Sequence, residues 1–151
     1  MTDTPRAHLA QSEPFRWDGV DELVYKESDS TFRDVTRRVL AGAEAGQGVE
    51  LRYFEVGPGG HSTLEHHGHT HVVVPIRGRG RALVGTEVVD LAPHDVVQVP
   101  AWTWHQFRAA DDEPLGFLCL VTTERDRPVR PDADQLAQLR ADPAVAEFIR
   151  V

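Results

Sequence analysis

The chain has one cysteine, Cys119, among its 151 residues. No disulfide can form within it, and the thiol sits in an apolar, strand-like run, which suits a reducing compartment. No apolar run is long enough to span a bilayer. The opening MTDTPRAHLAQSEP has none of the apolar core that marks a secretory signal. An excess of positive charge is lacking too. The net charge is −8 and the pI about 5.4, which argues against nucleic acid or an anionic membrane as the main partner. There is no internal repeat, no low-complexity tract and no helix-turn-helix pattern. These absences lead us to expect a soluble, unprocessed, cytoplasmic protein. At 16.8 kDa it is one domain with room for a working core.

What the chain has in quantity is histidine, in one place. Five of its eight histidines (His61, His66, His67, His69 and His71) fall in GGHSTLEHHGHTHVVVPIRGRG, between Gly59 and Gly80. Glu65, His67, His69 and His71 share one parity, so on an extended strand they face the same way. Over a straight strand, Glu65 and His71 would lie roughly 20 Å apart at about 3.3 Å per residue. No ion touches both ends of such a strand. If they serve one metal the chain must bend, and Gly68 is the expected place. Imidazole nitrogen with a carboxylate suits a divalent first-row metal (Fe, Mn, Ni or Zn) without choosing among them. His66 has the wrong parity and is expected to face solvent. His8, His61 and His94 are isolated and read as ordinary surface or core residues.

A second stretch, VVQVPAWTWHQF from Val96 to Phe107, places His105 after an aromatic loop, where it is a natural further ligand. Trp102 and Trp104 are expected to wall the pocket mouth, with Gln106 and Phe107 beside them. The arginines of RGRGR (Arg77, Arg79, Arg81) read as a solvated hairpin turn, not an RNA site.

Short strand patterns follow one another every 8 to 12 residues, as in an antiparallel sandwich or barrel. They run over 32–40, 49–56 (closed by a GPGG turn), 71–76, 82–84, 87–91, 96–99, 105–108 and 116–121. Residues 1–14 are polar and read as a mobile arm. Phe15 to Tyr25 is too apolar for a free tail and is expected to pack on the barrel or on a second subunit. The barrel domain is assigned to 15–125 and a helical extension to 126–151. In that extension DQLAQLR has helical spacing, and Asp142-Pro143 looks like an N-cap with proline at the first helical position. Val145, Phe148 and Ile149 form its apolar stripe.

The two histidine-bearing stretches resemble the two motifs of the cupin superfamily. The first, G-x5-H-x-H-x3-4-E-x6-G, is matched from Gly59 to Gly78. Glu65 stands in the first His slot, His67 in the second, and His71 in the slot usually held by Glu. In the second motif, P-x-G-x-x-H, Pro100 and His105 match, and Trp102 replaces the glycine. The resemblance spans about residues 49 to 122. It implies an all-β jelly-roll barrel around one metal, with His67, His71 and His105 as its firmest ligands. Glu65 and His69 either coordinate or stand just behind the ligands. A Glu65 outside the ligand set would serve as acid/base or orient a bound water. By analogy with small cupins, a homodimer is expected.

A metal with open positions in a dry barrel can bind a bidentate oxygen ligand and then activate dioxygen or act as a Lewis acid. The run PAWTWHQF is similar to gentisate-type dioxygenases, although those carry a His where Glu65 stands. The expectation is a metal-dependent, dioxygenase-like enzyme acting on a small oxygenated molecule, with isomerisation and hydrolysis open. The alternative is a non-catalytic module that binds or senses a metal or small molecule.

Overall fold

The computed structural model describes residues 5–25 and 31–151. Residues 1–4 of the expected mobile arm lie outside that range. The strands are β1 (Gln11–Glu13), β2 (Arg16–Trp17), β3 (Leu23–Val24), β4 (Arg33–Ala41), β5 (Val49–His61), β6 (His71–Gly78), β7 (Gly80–Val84), β8 (Glu87–Leu91), β9 (Val97–Val99), β10 (His105–Ala109) and β11 (Leu115–Thr122). Helices α1 (Ala133–Arg140) and α2 (Pro143–Phe148) close the chain. The architecture is an all-β jelly-roll barrel. Its large antiparallel sheet runs β8-β7-β10-β5-β11-β6-β9, and β4 adds onto β5 with β3 outside it. No helix among the described residues is long and apolar enough to cross a membrane.

Alternation along the strands fills the interior. Val35, Phe54, Val56, Val73, Phe107, Phe117 and Cys119 belong to one buried cluster inside the curled sheet. At full burial, side chains of this size contribute about 1.5–3 kcal/mol each. A second cluster lies beneath the C-terminal helices and joins Leu64 and Leu83 to Leu139, Val145, Phe148 and Ile149. The second helix begins where the sequence predicts, and the first begins at Ala133, one residue before the DQLAQLR run. Asp132 and Gln135 form a reciprocal capping box. The Asp142 carboxylate accepts from the Ala144 N–H at 3.0 Å, with Pro143 at the first position.

Two expectations are corrected. The GPGG stretch is not a turn, because β5 runs through it to His61. A Cβ on Gly57 would stand 1.8 Å from the Asp34 carboxylate, and one on Gly60 would stand 2.5 Å from the Arg33 carbonyl. The glycines therefore let β4 press against β5 where its register shifts between Arg33 and Val35. The arginines of RGRGR are not all solvated either. Arg77 is half-buried, pairs with Glu55 at 2.9 Å and lies over the Phe15 ring, whereas Arg79 and Arg81 are exposed as expected. In the apolar N-terminal segment, Phe15 stacks on Tyr53 at 5.9 Å and Trp17 tilts against the same ring at 5.2 Å.

Gln106 ties the C-terminus to the barrel. Fully buried, its amide NH₂ donates to the carbonyls of Ser62 and Arg150, both at 2.8 Å, and its oxygen accepts from the Arg150 N–H at 2.9 Å. Gln106→Leu strands these backbone groups, so we predict a loss of about 2–3 kcal/mol in urea unfolding. A change below about 0.5 kcal/mol would contradict the tie.

Candidate metal centre

The histidine stretch is not a straight strand. After β5 the chain makes one bridge, Glu65 to His105, then a second, His66 to Val129, before β6 opens at His71. It bends at Gly68 and His69. Asp126, which follows β11, holds the bend. Its carboxylate accepts from the Gly68 N–H at 2.6 Å, the His69 N–H at 2.9 Å and the His69 Nδ1–H at 2.8 Å. These donors hold the carboxyl well below its usual range, the Gly68 N–H foremost. On the other side Trp102 donates its backbone N–H to the His67 carbonyl at 2.7 Å.

The bend gathers the donor atoms into two overlapping triads, His67–His69–His71 and Glu65–His67–His105, with all donors in each within 4.8 Å of one another. His67 belongs to both. His67 Nε2 and His71 Nε2 stand 2.8 Å apart. Two nitrogens bound at right angles to one ion at about 2.1 Å lie about 3 Å apart, so the pair fits a shared ion.

Neighbouring groups set which nitrogen points inward. His67 Nδ1 lies 2.7 Å from the His69 carbonyl and His105 Nδ1 lies 2.9 Å from the Thr103 carbonyl. Carbonyls only accept, so each Nδ1 carries the proton and each Nε2 keeps its lone pair for a ligand. His69 is fixed in the same way by Asp126. His71 Nδ1 contacts Cys119 Sγ at 3.1 Å. Burial, reinforced by neighbouring imidazoles, lowers the pKa of His71 to about 2; burial lowers that of His105 to about 4 and also depresses His67. Neutral imidazoles are the form that binds a metal. The donor set fits a divalent first-row ion.

The cluster faces a cavity of about 230 Å³. Of the four residues expected to shape a pocket, Phe107 lines it, and Trp102, Trp104 and Gln106 lie elsewhere. Trp102 is 59 % exposed and packs outside the Gly68 bend, where a Cβ on Gly68 would meet its ring at 3.2 Å. Trp104 belongs to the cluster under the helices and stacks on His66 at 3.7 Å. His66 is thus half-buried beneath that ring, contrary to the solvent-facing position expected. Its parity keeps it out of the cavity, as anticipated. His8 and His94 are exposed, and His61 lies outside the cluster.

Asp126, Tyr25, Arg37 and Arg52 also line the cavity, and sequence reasoning did not find them. The two arginines were legible: Arg37 alternates with Val35, and Arg52 with Phe54 and Val56, at the period of a strand's inner face. Asp126 carried no such signal, being 58 residues from the glycine it holds.

A model of the cupin domain matches residues 52–121. Over 136 residues the chain is 59 % identical to the 1-methylthio-D-xylulose 5-phosphate methylsulfurylase of Rhodospirillum rubrum, covering 89 % of this chain and 86 % of that one. The chain belongs to the cupin superfamily. A cupin 2 conserved barrel domain protein from Rhodopseudomonas palustris superposes with a TM-score of 0.91 at 49 % identity, over 96 % of this chain and 100 % of that one. A cupin-2 domain structure from Rhodospirillum rubrum gives 0.85 at 57 % identity, over 95 % of this chain and 94 % of that one.

The imidazole pKa values set a pH dependence. In the unfolded chain these histidines take up protons near pH 6.5; in the folded chain His105 and His71 wait until about 4 and about 2. Between pH 6.5 and 4 the unfolded state binds more protons, so stability falls as pH falls. Metal-free protein should melt at progressively lower temperature from pH 7 to pH 4.5. A flat profile over that window would contradict neutral, buried imidazoles.

Proposed function

We propose that this cupin is a metal-dependent enzyme acting at the carbon–sulfur bond of a 1-methylthio-ketose 5-phosphate. The observation that carries this reading is the 59 % identity to a methylsulfurylase over nearly the whole chain. The histidine cluster supplies the chemistry such a substrate needs. That identity favours carbon–sulfur chemistry over the dioxygenase chemistry anticipated from the motifs.

In this reading His67, His71 and His105 hold the ion, and Glu65 and His69 complete or flank the set. A bound divalent ion supplies Lewis acidity toward a substrate carbonyl. In a 1-thio-2-ketose the C1–S bond lies next to the C2 carbonyl, so withdrawing electrons at that oxygen weakens the bond. Glu65 is 8 % exposed and held by paired backbone bonds with His105. It serves as the acid/base that moves a proton at substrate carbon. Tyr25 lines the same cavity, its phenol kept neutral by burial and by the charge of Glu65. The apolar wall of Val35, Phe54, Val73 and Phe117 excludes water from the polarised carbonyl.

The test is turnover of 1-methylthio-D-xylulose 5-phosphate, with a thiol present, by protein loaded with Mn, Fe, Ni or Zn. We expect the thiol to take the methylthio group as a mixed disulfide while the electron pair left at C1, delocalised into the C2 carbonyl, takes a proton. Both products are followed by mass spectrometry, with at least one metal and none after chelation. Glu65→Gln should lower turnover by about 10²-fold or more. Metal bound in full with no turnover would return the protein to the non-catalytic binding class.

A further inference from the structure

We infer that Arg37 and Arg52 form an anion-binding pole of the metal cavity, built to hold the phosphate of a sugar phosphate. This rests on the reading that the substrate is a phosphorylated ketose, and it names the residues that would make the enzyme require the phosphate.

Strand register brings the two arginines together. Arg37 of β4 lies opposite Phe54 of β5, and Arg52 of β5 lies opposite Val39 of β4. Arg37 and Arg52 are therefore diagonal neighbours on one sheet face, and both line the cavity. Across the other edge of β5, Arg52 lies opposite Cys119 of β11, whose thiol touches His71 at 3.1 Å. The cationic pair and the imidazole cluster thus open into one space from neighbouring strands.

Their bonding is incomplete. Among the described residues, the Nε atoms of Arg37 and Arg52 are buried without a hydrogen-bond partner. Arg52 is 8 % exposed, and its NH2 reaches only the Cys119 sulfur, at 3.6 Å. The nearest carboxylate, Glu50, stands 3.7 Å from its Nε, close enough to offset charge but too far to accept the bond. Its guanidinium also rests over the Phe54 ring at 4.9 Å. A third arginine on the cavity, Arg125, is committed: it donates to the Thr122 carbonyl at 3.0 Å and faces Glu50 at 3.7 Å. Asp126 is spent on Gly68 and His69, and Glu65 stands among the imidazoles. An interior guanidinium with an unused donor, as in Arg52, is costly unless an acceptor completes it. Two guanidinium groups on diagonal positions of one sheet face, Arg52 buried and Arg37 half-buried, match a phosphate, which presents several anionic oxygens and takes planar, paired hydrogen bonds from arginine.

The test compares D-xylulose 5-phosphate with D-xylulose as ligands of the metal-loaded full chain by calorimetric titration. Neither carries a methylthio group, so the outcome is independent of carbon–sulfur cleavage. Wild type should bind the phosphate ester about 10- to 100-fold more tightly than the free sugar. Arg37→Gln and Arg52→Gln should each cut that preference about tenfold while leaving D-xylulose binding unchanged. A preference that persists in both variants overturns the assignment, as does a wild type that binds the two sugars equally. If both preference and variants behave as stated but no methylthio substrate is turned over, the carbon–sulfur reading fails and the anion pole stands. Should a glutamine variant not fold, a crystal structure of wild type with D-xylulose 5-phosphate decides: phosphate oxygens on the Arg37 and Arg52 guanidinium groups support the assignment, and phosphate seated elsewhere overturns it.

Discussion

The site depends on the contact between the Asp126 carboxylate and the bend at Gly68 and His69. Ligands spaced two apart along an extended chain face one way but recede from one another. The Asp126 carboxylate, accepting two consecutive backbone N–H groups and one ring N–H, folds that row back on itself. His67 and His71 then meet at their Nε2 atoms, 2.8 Å apart. Trp102 braces the bend from outside at some cost. Its backbone sits at φ 56°, a left-handed conformation that costs a side-chain-bearing residue about 1–2 kcal/mol. This is the position where cupin motifs usually place glycine, so the chain keeps the glycine geometry and gains a ring that packs on Gly68.

Around that bend the barrel contributes rigidity, dryness and polarity at defined places. β10 brings His105, β6 brings His71, and the segment between β5 and β6 brings Glu65 and His67. Main-chain carbonyls dictate the tautomers of His67 and His105, so ring orientation is settled before any ion arrives. The apolar lining keeps the imidazoles neutral. The C-terminal helices contribute no residue to the cavity lining, yet through Gln106 the segment after them is fastened to the start of β10, next to His105.

Most of the fold was legible from strand periodicity and helix caps, because both are local. The failures were cases in which one part of the chain decides the conformation of another. GPGG reads as a turn alone, but pressed against Asp34 and Arg33 it continues a strand. Trp102 and Trp104 read as pocket walls from their neighbourhood to His105. One instead buttresses the bend from outside and the other anchors the helices over His66. The shared parity of Glu65, His67, His69 and His71 was visible in the sequence, whereas the carboxylate clamp that folds this row was not. An aspartate in a polar run 58 residues downstream of Gly68 carries no periodicity and no motif.

The most direct test of this account is the metal affinity of Asp126→Ala against wild type, measured by competition with a chelator of known affinity. The account predicts about one first-row ion bound per wild-type chain. It also predicts a loss of about 10- to 100-fold in affinity in the variant. Equal affinity in the two proteins would contradict the claim that the carboxylate clamp organises the centre.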